Sequence, residues 1–177
     1  MSTSTHTSSR VHRFEVHPAA GHADATGDAL ARSFAHTAPD RAPSSVSHAS
    51  IYLIEGDLTE EQRARVSNEL LSDPLTQTVD EGSAEVASDA VLVEVHPLPG
   101  VTDPAADSVQ LAIKAMFDLD VSVLTGNRFD LHGVDAPTAR ELVERTCANP
   151  VVHAVHLEPF EPLEFPTGEV RTFPVRE

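Results

Sequence analysis

The chain has 177 residues, 12 basic and 28 acidic side chains, a net charge of −16 and 40% hydrophobic residues. Such a surface repels phosphate backbones and anionic bilayers, so neither nucleic acid nor membrane is an expected partner. The apolar content is enough for a packed core, and no apolar run reaches the length of a membrane span. The single cysteine, Cys147, leaves no intrachain disulfide and suits a reducing cytoplasm, the expected location.

Residues 1–10, "MSTSTHTSSR", lack an apolar segment. They are expected to be a disordered tail, not a secretion signal. From Val11 to His17 apolar and polar residues alternate, with Phe14 and Val16 set against Arg13, Glu15 and His17. That period of two predicts a half-buried strand, which Pro18 ends because proline cannot donate to a ladder. Gly21 permits a turn, and Asp24 is placed to cap a helix with Leu30, Phe34 and Ala38 on its buried stripe. A loop rich in Pro and Ser, Ala35 to His48, leads to a middle strand or hairpin, "SIYLIEG". Thr59 and Gln62 form a capping box for a second helix, with Val66 and Leu70 inward. "DPLTQTV" is expected as the closing strand.

After the linker Asp80 to Ala90 the same order returns. "FEVHPAAGHAD" is matched by "VEVHPLPGVTD", so that His17, Gly21 and Asp24 align with His96, Gly100 and Asp103 at an offset of 79. Gly56 aligns with Gly133 at 77, and Pro74 with Pro150 at 76. A strand over Val91 to His96 precedes a helix capped by Asp103 with Pro104 at its first position. Val109, Ile113, Met116 and Phe117 mark its buried stripe. "TGNRF", Thr125 to Phe129, reads as a hairpin turn with Gly126-Asn127 at its tip. A helix from about Asp135 has Ala139, Leu142, Val143 and Thr146 inward, and "NPVVHAVHL" closes the unit. The expectation is an α+β fold of two tandem ferredoxin-like β-α-β(β)-α-β units, residues 11–79 and 91–158. A linker, 80–90, joins them, and they form a pseudo-dimer that buries the sheet surfaces of one copy on the other. Residues 159–177, rich in Pro and Phe, are expected to run extended across a surface.

Candidate chemistry is thin. His17 and His96 end their strands, and a metal site there would need further converging ligands. His22 has Val101 as its counterpart, and His153 and His156 point to opposite faces of a strand. Cys147 corresponds to Leu71, the mark of a small core position. Glu60, Glu61, Asp118 and Asp120 read as helix-start charges and solvated turns. No catalytic, cofactor-binding or metal-ligating residue is assigned.

The stretches "VEVHPLPGVTDPAADSVQLAIKAM", "VSVLTGNRFDL" and "ANPVVHAVHLEPF" together resemble the PurS family, the small subunit of phosphoribosylformylglycinamidine synthase. The first half adds Gly27, Ala29, "GDLTEEQ" and "LLSDPLTQ", similar to PurS-like regions fused to the large synthetase. It departs from the pattern at Ala25, as the second half does at Ala106. The resemblance covers most of residues 11–160 and makes Asp24, Gly27, Asp103, Pro104, Gly126, Arg128, Asn149 and Pro150 motif and interface candidates. It implies an accessory subunit, stand-alone or leading into a fused synthetase, that joins a glutaminase to an ATP-dependent synthetase and supports ammonia transfer in purine biosynthesis. On that reading this chain binds no cofactor, and ATP and Mg sit on the partner synthetase. The alternatives are a tandem ferredoxin-like module that binds a small effector and, more remotely, a small catalyst using His17 or His96.

Overall fold

A computed structural model describes residues 10–162 and 165. The N-terminal tail expected over residues 1–10 lies outside them except for Arg10, as does most of the extended tail.

The fold is α+β, with one six-stranded antiparallel sheet and four helices. The strands are β1 (Val11–Pro18), β2 (Ser45–Glu55), β3 (Gln77–Glu81), β4 (Ala90–Pro97), β5 (Ser122–His132) and β6 (His153–His156), in the order β3-β1-β2-β5-β4-β6. The helices are α1 (Ala25–Thr37), α2 (Glu60–Arg65), α3 (Pro104–Phe117) and α4 (Ala136–Thr146), and α2 continues into a π-helical turn over Val66–Leu71. Their caps are the residues that the sequence marks: Asp24, Thr59 with Gln62, Asp103 and Asp135. Each supplies side-chain oxygen to an orphan N–H of the first helical turn.

Three expectations change. The middle segments are not hairpins: β2 and β5 are each one continuous strand of 11 residues, paired from Ser45↔His132 to Glu55↔Ser122. Gly126 and Asn127 therefore lie mid-strand, and Gly126 is not among the glycines with positive φ. The two halves do not cover one another's sheet surfaces; they join side by side, because β2 and β5 satisfy each other's backbone groups along their full length. The closing strands are also shorter than expected, since Asp73-Pro74 and Asn149-Pro150 form turns. Leu75 N–H donates to Asp73 Oδ1 at 2.9 Å, and Val151 N–H to Asn149 Oδ1 at 3.0 Å. The peptide N–H of Thr76 and that of Val152 each donate to the carbonyl of the same turn residue at 3.0 Å. These are Asx turns, and β3 and β6 begin only after them.

The hydrogen bonding of the first half recurs in the second at the offsets seen in sequence. Gly56 N–H donates to Arg10 carbonyl, and Gly133 N–H to Asp89 carbonyl. Ala19 N–H meets Thr76 carbonyl, and Leu98 N–H meets Val152 carbonyl. Val16 is opposite Ser50 and Val79, while Val95 is opposite Asn127 and Val155. At the centre Ser50 faces Asn127, 77 positions on.

All four helices lie on one face of the sheet, over two cores that each draw on both halves. Phe14, Val16 and Ile54 pack with Val66, Leu71, Val109 and Ile113, bringing α3 against the π turn after α2. Phe34 and Val46 pack with Val93, Phe129, Leu131, Leu142 and Val143, bringing α1 and α4 over the other end. Thr146, expected inward, is exposed at the end of α4, and Cys147 packs at the edge of the second core. Burial pushes the Cys147 thiol up to about 11, consistent with a packing residue and not a nucleophile.

Candidate functional site

The strand alternation that suggests a solvent-facing polar side conceals a second buried layer. On the sheet face away from the helices, Glu15 and Glu94 are fully buried, and His96 and Arg128 are nearly so. A charge in such a position persists only when it is paired and hydrogen-bonded. Arg128 reaches from β5 over β2, where its pairing partner is the small Ala49, to Glu15 on β1 at 2.8 Å. It also donates to Asp130 from Nε and Nη2, at 3.0 and 2.9 Å. Arg13 donates from Nε to Glu15 at 2.8 Å and spans two strands to bond Glu94.

His96 completes the cluster. Its Nδ1 lies 3.0 Å from the Thr125 carbonyl and its Nε2 2.9 Å from Glu94 Oε2. Both ring nitrogens are engaged, which fixes the orientation of the imidazole. Two guanidiniums, Arg13 and Arg128, and the His96 ring thus face three carboxylates, Glu15, Glu94 and Asp130. Burial pushes Glu94 up, but His96, the Phe160 amide and Arg13 outweigh it and leave its pKa below the ordinary value. Burial likewise opposes the charge on Arg128, and Asp130 and Glu15 overcome it to raise that pKa.

Of the motif and interface candidates, Gly126 and Arg128 enter this cluster. The ring of His96 lies over Gly126, and a Cβ there would overlap it, 2.9 Å from Nε2 and closer still to Cε1 and Nδ1. Glycine is needed for that close approach and not for a turn. The others are structural. Asp24 accepts from Gly27 N–H at 2.8 Å and from His48 N–H at 2.6 Å. Asp103 repeats this with Ala106 N–H at 3.0 Å and the Thr125 hydroxyl at 2.8 Å. Each carboxylate thus ties a helix start to a strand, and Gly27 lies so close to the Val46 carbonyl that a Cβ would overlap it. Replacing Asp103 by alanine removes both the cap and the strand tie. We expect a loss of about 2 kcal/mol, read as a lower urea midpoint with an unchanged m-value.

His17 and His96, equivalent in sequence, part company in space. His17 turns outward to Asp80 at 2.9 Å. The residue 76 positions after Asp80 is His156, whose ring lies 5.9 Å from that of His96. Sequence reasoning missed the cluster because a glutamate in an alternating strand looks solvent-facing. The available signal was a doubled one: Glu15 and Glu94 stand at the repeat offset, each two residues before a histidine.

Beside the cluster lies a cavity of about 150 Å³ lined by Glu15, His17, Ser47, His48, Arg128 and Asp130, among others. The arrangement offers fixed charge and hydrogen-bond donors and acceptors. Among the described residues no group of three or more His, Cys, Asp or Glu is placed to hold a metal ion.

Acid should loosen this protein in two stages. Burial lowers the pKa of His12 and of His156 below the ordinary 6.5. A base with a depressed folded pKa binds more protons when unfolded, so its contribution is present above 6.5 and is lost as pH falls through the folded value. Glu94, depressed below 4.5, adds a second loss below that pH by the same sign. Urea midpoints measured from pH 8 down to about 2 should fall in both windows; a flat profile between 7 and 5 would contradict the assignment for the histidines.

No helix among the described residues is long and apolar enough to cross a membrane. Comparison with protein-family models and with curated proteins finds no match to this chain.

Proposed function

We propose that this chain is a non-catalytic, cytoplasmic, PurS-like component of phosphoribosylformylglycinamidine synthase, built as a pseudo-dimer of two tandem ferredoxin-like units. Its partners are the synthetase and glutaminase of that complex, and its task is to hold them together and support ammonia transfer; ATP and Mg belong to the synthetase. The observation that carries the duplication is the register. The pairing of β1 with β2 and β3 is repeated by β4 with β5 and β6 at offsets of 79, 77 and 76, and the two sets meet at Ser50 and Asn127. The motif residues Asp24, Asp103 and Asn149-Pro150 serve as caps and turns that define each unit. The link to purine synthesis rests on the sequence resemblance. Reconstitution tests it: glutamine-dependent amidine formation by the synthetase and glutaminase should require this chain. Unchanged activity without it would end the proposal.

A second reading is a small-molecule-binding regulatory module, favoured by the polar cavity beside Arg128. It predicts that an amino acid or nucleotide raises the Tm of the isolated chain, which the accessory reading does not require.

A further inference from the structure

The helix-free face holds two chain segments by the same device. After β3 the chain returns over the sheet, where Ala84 N–H donates to Glu15 Oε2 at 3.1 Å and the Ala84 carbonyl accepts from Arg128 Nη1 at 2.8 Å. After β6, Phe160 N–H donates to Glu94 Oε2 at 2.9 Å and its carbonyl accepts from Arg13 Nη1 at 3.4 Å. Glu94 lies 79 positions after Glu15, and Phe160 lies 76 after Ala84, so each falls at its repeat offset. In both places a buried carboxylate and a guanidinium, themselves ion-paired, bracket one residue's peptide groups.

The brackets differ in what they ask of the side chain. Around Ala84 the positions matching His96 and His156 are His17 and Asp80, which are ion-paired with each other at 2.9 Å. Around Phe160 the rings of His96 and His156 each lie 4.6 Å from the phenyl centroid, tilted by 40° and 33°. A phenyl ring there gains contacts that a methyl group would not. The linker has the sheet on both sides of it, since β3 and β4 anchor its ends. Among the described residues, the segment after β6 is held to the sheet by side chains at Phe160 and by no further strand.

We propose that Glu94, Arg13, His96 and His156 form a docking site for an aromatic residue within an extended peptide, occupied here in cis by Phe160, so that the segment after β6 is a releasable latch. The bracket reads main chain, and the histidine wall supplies preference for the ring. This goes beyond an accessory role, because it gives the chain a place where a peptide in trans can displace its own tail.

The test uses the full chain carrying Phe160→Ala and the peptide acetyl-Leu-Glu-Pro-Phe-Glu-Pro-amide. In a titration followed by amide NMR, we expect saturable shifts at Glu94, Thr125 to Arg128 and His156. The same peptide with Ala in place of Phe should give at least tenfold weaker binding. Absence of saturable shifts at millimolar peptide, or equal binding of the two peptides, overturns the proposal. Should the variant fail to fold, the wild-type protein still decides it by hydrogen exchange. Excess peptide should release protection at Phe160 while β4 and β5 stay protected. Unchanged protection, or loss only together with the strands, overturns it.

Discussion

Gly126→Ala should destabilise the protein by roughly 3–5 kcal/mol, an effect usually associated with emptying a core site. The added methyl has no space, because the His96 imidazole already lies on that Cα. Overpacking alone costs about 1–3 kcal/mol. Here the ring cannot simply swing away: it is held by Glu94 and the Thr125 carbonyl and packed against Phe160. Displacing it strips Glu94 of a hydrogen-bond partner in a buried setting. The second half's counterpart position in the first half, Ala49, already carries the methyl, and there His17 faces outward. Ala49→Gly should therefore cost only about 1 kcal/mol, the usual strand penalty of glycine together with a lost methyl. Equal effects at the two positions would refute this account. The pair is best compared by urea denaturation at pH 7.

Glu94→Ala is the second large effect, expected at about 3–5 kcal/mol. The carboxylate is fully buried and serves Arg13, His96 and the Phe160 amide at once. Removing it leaves His96 and the Phe160 amide without their acceptor and Arg13 with Glu15 as its remaining carboxylate partner, which costs far more than the intact cluster contributes relative to an apolar replacement. The prediction has a distinctive companion. Since Glu94 contributes stability only while ionised, the acid-dependent loss below pH 4.5 should shrink in the variant, leaving the step due to His12 and His156. Persistence of the full lower step would place its origin elsewhere.

Much of the frame was legible because it is local. Asp24, Thr59, Asp103 and Asp135 announce helix starts through short-range hydrogen bonding, and the repeat offsets held down to individual backbone pairs. What could not be read is what depends on distant chain. Glu15 and Glu94 look solvent-facing in their strands, and only Ala84 and Phe160, arriving from 69 and 66 residues away, make that face interior. Gly126-Asn127 carries the composition of a tight turn, yet β2 and β4 recruit it from both sides into a long strand. Tertiary pairing overrode a turn preference whose real cause was the histidine above the glycine. Nor does alternation say whether the two halves of the chain stack or join at an edge; here β2 and β5 pair edge to edge.

The central seam also sets how the chain can fold. Pairing β2 with β5 brings together residues 67 apart at Glu55 and Ser122 and 87 apart at Ser45 and His132. Contacts of such high sequence separation must overcome a large loop-closure entropy before they are rewarded. Each hydrophobic core waits on the same event, since each needs a helix from the later half. A nascent chain that has just emerged through β3 therefore presents the whole hydrogen-bonding edge of β2 with no partner. During that interval the central edge of the molecule is open to the wrong strand.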